Sequence, residues 1–298
     1  QTLKYMNNFI QNYKIILKHL QDLPVNSNIF LQVRKPKLSN IEVVALSLTS
    51  EYMGLDSECQ LFRIIESTQL EGLIERSVYN KRRRRLFGLV EVVRQKLADC
   101  FNQFEDNFIV DSMPLEVCKM SRASRSRICK EHGGSLPDKG FCATQQMYYY
   151  GYKLHGVCSI DGVFQSIDLT PASVHDIHYL KDIKAQMADC TLLGDRGYLS
   201  AEIQLDLFNS VNIKLQTPMR KNQINFKAQP YILRKARKRI ETLFSQLCDQ
   251  FMIRRNYAKS FEGFKTRILA KISSLTLIQF LNKFVFDRPI NKIKLNLS

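Results

Sequence analysis

The chain has 298 residues, 45% of them hydrophobic, and a formal net charge of +16. That is enough length for one large or two modest cored domains, and too much apolar content for a disordered one. No apolar run approaches the ~20 residues that span a bilayer, and residues 1–23 are mixed and amphipathic rather than signal-like, so no membrane partner is expected. Eight cysteines, at 59, 100, 118, 129, 142, 158, 190 and 248, include no CxxC and no secreted-type framework. They read as reduced thiols of a cytoplasmic protein.

The charge is unevenly spread. Residues 214–298 hold 19 Lys/Arg against four Asp/Glu, whereas residues 1–213 hold 25 against 24. A merely solvated face would intersperse acids; a concentrated cationic segment suits a phosphate backbone.

In chain order, residues 2–20 have helical periodicity, with Phe9, Tyr13, Ile16 and Leu20 among the apolar positions, and Pro24 ends the pattern. Ser39 or Asn40 is placed to cap a helix through Ile41–Leu48, and Asp56 or Ser57 to cap the next. Two short helices around Gly54 admit a helix-turn-helix reading with Gln60 and Arg63 toward DNA, alongside plain helical packing. Lys81–Arg85 is a run of five cations that reads as the entry to an apolar-periodic helix. Cations there oppose the helix dipole, which favours a phosphate-facing role for Arg82 and Arg83. From Phe104 the texture changes to alternating strand and helix. Phe108–Asp111 reads as a strand ending in a carboxylate, followed by an irregular insertion over 112–147 that carries Lys119, Arg122, Arg125, Arg127 and Lys130. Tyr148–Ser159 and Val163–Thr170 alternate around Asp161-Gly162, a hairpin signal. Then come a helix at His175–Met187, a strand at Thr191–Asp195, a serine-capped helix at Ser200–Asn209, a strand at Val211–Thr217 and a long helix at Tyr231–Phe251. The tail, Phe261–Phe286, reads as an apolar helix with a basic outer side. The expected class is α/β, a mixed sheet flanked by helices behind a helical N-terminal region.

Three acids stand out: Asp111 and Asp195 at strand ends, and Glu241 in the basic helix Arg237-Lys238-Arg239-Ile240-Glu241. Neighbouring strands lie about 5 Å apart, so strand-end carboxylates from distant segments can meet. Hard divalent ions demand such oxygen donors, and two Mg²⁺ or Mn²⁺ ions ~3.5–4 Å apart are a recurring device for phosphodiester cleavage. Glu241 borders the stripe Ile240, Phe244, Leu247 and Phe251, with Arg237 and Arg234 one and two turns before it. The competing reading of Glu241 is an i, i+4 salt bridge with Arg237, worth a few tenths of a kcal/mol. Arg196 adjoins Asp195 and is positioned for phosphate. His175 and Asp176 follow the hairpin as supports or DNA contacts. Cys118, Cys129, His132 and Cys142 match no zinc module.

Phe-Ile-Val-Asp111, Leu-Leu-Gly-Asp195-Arg-Gly-Tyr198 and Arg-Lys-Arg-Ile-Glu241-Thr-Leu-Phe resemble the three acidic motifs of DDE transposases from bacterial insertion sequences. Gly151–His155 and Thr170–Asp176 resemble the second and third strands and the loop that follows. The resemblance implies an RNase H-like core over 104–255, a helical N-terminal domain over 1–103 that binds terminal repeats, and a basic tail over 256–298. It also implies Asp111, Asp195 and Glu241 as ligands of two Mg²⁺ or Mn²⁺. Phosphate contacts are then expected from Arg196, Arg234, Arg237 and Lys238, with Arg82 and Arg83 in the N-terminal region. Its implied partners are double-stranded DNA and a second copy of the chain, in a bacterial cytoplasm. Relatives carry Tyr-x-x-Arg-x-x-x-Glu with a Lys seven residues on; here the Tyr position is Arg234 and the Lys position is Cys248. The rival readings are an RNase H-like endonuclease without strand transfer, and an inactive DNA-binding protein.

Overall fold

The computed structural model describes residues 2–26, 35–66, 68–101, 105–131, 133–219 and 226–294, with side chains from residue 8 onward. The chain divides into two compact units, one of residues 1–100, 247–256 and 262–298, the other of residues 101–246 and 257–261.

The first unit is helical. It contains α1 (Thr2–Gln21), α2 (Asn40–Tyr52), α3 (Glu58–Ile65), α4 (Arg76–Arg85) and α5 (Phe87–Asp99). Ser39 caps α2 in a full capping box with Glu42, which satisfies two end donors reciprocally. On α1 the buried positions Phe9, Tyr13, Ile16 and Leu20 recur at helical spacing. The cation run corrects the sequence expectation: it closes α4 rather than opening a helix, and Leu86 separates it from α5. At a C-terminus the cations complement the dipole instead of opposing it.

The segment expected as a separate tail adds α9 (Phe261–Phe280) and a π-turn through Val285, grouped with this unit from Glu262 onward. By length and composition 261–285 would pass as a membrane span, contrary to the sequence reading, and 78% of the scored stretch is buried inside the protein. Of the cations expected on its outer side, Lys283 is exposed and Lys265 partly so, whereas one turns inward. Lys271 is fully buried, its Nζ 2.6 Å from Glu51 Oε2 and 2.6 Å from the Phe251 carbonyl. Glu51 also meets Arg83 at 2.6 Å and Arg267 at 3.9 Å. Burial alone would raise the Glu51 pKa, but Lys271, Arg83 and Arg267 outweigh it and hold the carboxyl below its ordinary value.

The second unit is built on one six-stranded sheet. β1 (Asn107–Cys118) pairs antiparallel along nearly its whole length with β3 (Met147–Ser159). On β3's other edge, β2 (Asp138–Cys142) and β4 (Phe164–Pro171) lie end to end, β2 along Met147–Gly151 and β4 along Tyr152–Cys158. β5 (Thr191–Leu193) runs parallel to β1 only from Asn107 to Ile109, and β6 (Lys214–Gln216) is parallel to β5. The Asp-Gly hairpin is as expected. The 112–147 insertion is not: β1 continues to Cys118, and β2 supplies another strand. Pro114 disguises the extension, since proline reads as a strand breaker. Here the β5 side of β1 is unpaired beyond Ile109, and an edge tolerates proline.

One sheet face packs on α6 (Tyr179–Lys184), shorter than the expected helix, and on α7 (Ala201–Val211), capped by Ser200 as expected. Phe108, Val110, Val157 and Leu192 meet Tyr179, Leu180, Ile183 and Leu207 in this layer. Residues alternate in strands, so Ile109, Asp111 and Gly156 point to the opposite face. That face carries Phe164 and, from α8 (Tyr231–Asp249), Phe244, with ring centroids 6.0 Å apart.

Removing one partner of a buried ion cluster leaves uncompensated charge. Glu51→Gln is therefore expected to lower unfolding free energy by about 3–5 kcal/mol, read from urea denaturation at neutral pH.

Candidate active site

Asp111 lies in the middle of β1, not at a strand end. The strand end is instead β5's: Ile109 pairs with Leu193, and two residues further on the two chains carry Asp111 and Asp195. Parallel partners share a face, so Ile109, Asp111 and Leu193 lie on the sheet face that carries α8, and Asp195 follows the last paired residue of β5 by two. Opposite Asp111 on β3 stands Gly156. A Cβ there would lie 2.7 Å from the Phe164 ring and in ordinary contact, 3.7 Å, with Phe244, so the missing side chain makes room for Phe164 beneath α8. Phe244 is three residues beyond Glu241, whose charge is felt at Asp111.

Asp111 is half-buried, and its Oδ1 accepts from the Ser112 N–H at 2.8 Å. Burial is the main cause that pushes its carboxyl up to about 7; the Ser112 N–H opposes, Asp195 adds, Arg237 opposes and Glu241 adds. Asp195, Arg237 and Glu241 thus all act on Asp111. Asp195 Oδ1 accepts from Gly197 N–H at 2.7 Å and caps a short 3-10 turn, Arg196–Tyr198. A Cβ on Gly197 would be 2.9 Å from that oxygen, so glycine permits the cap. Glu241 is exposed on α8, and the salt bridge weighed against it does not form: among the described residues Arg237 and Glu241 are not within ion-pair distance.

Arg196, Arg234 and Arg237 line, with Asp195, Gln229 and Phe226, a cleft of about 450 Å³. Arg234, Arg237 and Glu241 share one side of α8 at helical spacing. Lys238 does not join them. It lines a separate depression of about 420 Å³ with Lys235, Arg239 and Thr242. Arg82 and Arg83 belong to the other unit, and their guanidiniums serve its interior. Arg82 donates to the Leu38 carbonyl and Asn40 Oδ1, each at 2.9 Å, and Arg83 is buried on Glu51.

His175 is exposed, with Nδ1 accepting from Ile177 N–H at 3.3 Å. Asp176 Oδ1 takes an ion pair from Lys153 at 2.9 Å, and its Oδ2 lies near Gly197. Lys153 also donates to the Val174 carbonyl at 2.8 Å, tying the loop after β4 to β3. Sequence reasoning passed over Lys153, whose only signal is its place in an alternating strand. It also passed over the Tyr198 hydroxyl, which is fully buried and has no hydrogen-bond partner among the described residues. Burial and then Asp176, Asp111 and Asp195 push that phenol up, so it stays a neutral donor beside the acids.

The donor set expected from the sequence is three carboxylates, a chemistry that suits a hard divalent cation rather than a soft one. Among the described residues no three His, Cys, Asp or Glu side chains stand close enough to enclose an ion. His132 of the discarded zinc reading lies outside the described residues, and all eight cysteines are free.

The sequence profile of the transposase DDE domain matches residues 102–277. The chain belongs to this family. The mixed sheet with its helices is that of an RNase H-like DDE domain, and membership in the transposase family implies DNA as the ligand. No curated protein and no solved structure matches the chain.

The raised Asp111 carboxyl makes a pH prediction for this DDE domain. Its folded value lies above its ordinary value of 3.8, so the folded state holds the proton more tightly and stability falls as pH rises from about 4 to about 7. Without added metal, Asp111→Asn is expected to be more stable than wild type at pH 8, by an amount on the order of 1–3 kcal/mol, with the gain gone near pH 4. Thermal denaturation across that range checks it; a pH-independent offset contradicts it.

Proposed function

We propose that the chain is a DNA transposase that cuts at the ends of its element and joins the freed 3′-hydroxyl to target DNA, with Asp111, Asp195 and Glu241 as its cation ligands. The supporting observations are the Ile109–Leu193 register, which runs the β5 end leading to Asp195 alongside the strand bearing Asp111, and the charges of Asp195 and Glu241 felt at Asp111, within a chain of the DDE family. Bound Mg²⁺ or Mn²⁺ supplies charge neutralisation at the phosphate and acidifies the attacking water.

The chain's own residues bind and orient the substrate. Arg196, Arg234 and Arg237 hold backbone phosphates in the cleft beside Asp195, where guanidinium forks match phosphate oxygens. Lys153 and Asp176 brace the loop after β4, which lies beside Gly197, and the Gly197 N–H keeps the Asp195 carboxylate turned. In the first step water attacks phosphorus, the bond to the 3′-oxygen breaks and that oxygen takes a proton. In the second, the 3′-hydroxyl attacks a target phosphodiester and displaces its 3′-oxygen, so one bond forms for each that breaks. The helical residues 1–103 are assigned to terminal-repeat recognition, and two copies of the chain to the joining of two ends. The proposed setting is an insertion sequence in a bacterial cytoplasm.

The test is cleavage and joining of DNA carrying the element's ends, with Mg²⁺ or Mn²⁺. Wild type is expected to give cut and joined products, and Asp195→Asn to lose both by at least about a hundredfold. Equal activity in the variant overturns the assignment of Asp195. Cleavage without joined products identifies a nuclease instead.

A further inference from the structure

The basic stretch 119–148 takes no part in the acid cleft, yet it forms an ordered surface. It holds six Lys/Arg against two acids. Both acids are turned to main chain: Glu131 accepts from Phe261 N–H, and Asp138 Oδ1 from Lys139 N–H at 2.7 Å. Among the described residues none of the six cations forms an ion pair.

The β2–β3 hairpin gives this surface its geometry. Phe141 pairs with Tyr148 and Lys139 with Tyr150, so all four side chains share one face, while Gly140 and Tyr149 are buried on the other. The Phe141 and Tyr148 rings lie 5.0 Å apart and are 49% and 54% exposed. Lys139 Nζ sits 4.1 Å from the Tyr148 ring centre, and Lys130 Nζ 6.0 Å from that of Tyr150. Half-exposed rings flanked by cations are a poor protein core and a good stacking platform. Aromatic faces stack on bases of any sequence while cations follow the backbone. A protein partner with an apolar patch would not need six unpaired cations.

We propose that this hairpin face is a second DNA-binding surface, which stacks unpaired bases of a strand leading away from the acid cleft. The proposal rests on the DNA-processing reading above. It also carries a distance. Asp111 is level with Gly156 and Cys118 with Tyr150, and seven residues of strand span about 23 Å. That length corresponds to about seven nucleotides of stacked strand.

The experiment uses the whole chain and fluorescent DNA of arbitrary sequence, as a blunt duplex and as the same duplex with a single-stranded tail of about ten nucleotides. Wild type is expected to bind the tailed DNA about tenfold more tightly than the blunt duplex. Tyr148→Ala and Phe141→Ala should each lose most of that difference, Tyr148→Phe should retain it, and all should bind the blunt duplex like wild type. Wild-type affinity of Tyr148→Ala for the tailed DNA, or equal losses on both DNAs, overturns the proposal. Failure of wild type to bind either DNA overturns the functional reading along with it. Retained cleavage by Asp195→Asn, with the Tyr148 effect intact, would fault the acid site while supporting this surface.

Discussion

The arrangement depends on where β5 parts from β1. Three residues of parallel pairing, Asn107–Ile109 with Thr191–Leu193, fix the register, and then the second chain turns away into the Asp195 cap. β1 cannot follow, because β3 holds it to Cys118. A carboxylate in the middle of a strand is thereby left on an edge that β5 no longer pairs. On the same face α8 packs through Phe244 against Phe164. Burial first, and the like charges of Asp195 and Glu241 after it, raise the cost of ionising Asp111, and a cation is the natural compensation.

Much of this could be read in the sequence because the signals were local. The Asp-Gly turn, the serine caps at 39 and 200, and the helical periodicities of α1, α7 and α8 depend on neighbours within a few residues. The extent of β1 was hidden because Pro114 is tolerated only by virtue of β5 ending, a fact held some 80 residues away. Lys153 and Tyr198 were passed over for a similar reason. A lysine or tyrosine in a strand or turn is unremarkable until Asp176 and two catalytic candidates are brought alongside.

Charge was the least transparent property. Lys271 and Arg83 contribute to a basic composition that suggests DNA, yet both are buried around Glu51 in the helical unit. Arg82 is likewise bound to Leu38 and Asn40. The arginines that remain beside an acid are those whose spacing on α8 matches Glu241, together with Arg196 next to Asp195. A count of cations therefore points to nucleic acid, whereas their partners show which of them are free to meet it. The substitutions at Arg234 and Cys248, where relatives carry Tyr and Lys, fall on this same helix. They leave the carboxylates untouched.

The account rests on Asp111, Asp195 and Glu241 acting as one cation site. Calorimetric titration of the purified chain with Mn²⁺, without DNA, addresses this directly. Wild type should bind Mn²⁺, and Asp111→Asn, Asp195→Asn and Glu241→Gln should each weaken binding by at least about tenfold. Unchanged Mn²⁺ affinity in all three variants would contradict it, and the acids would then be neighbours without a shared ligand.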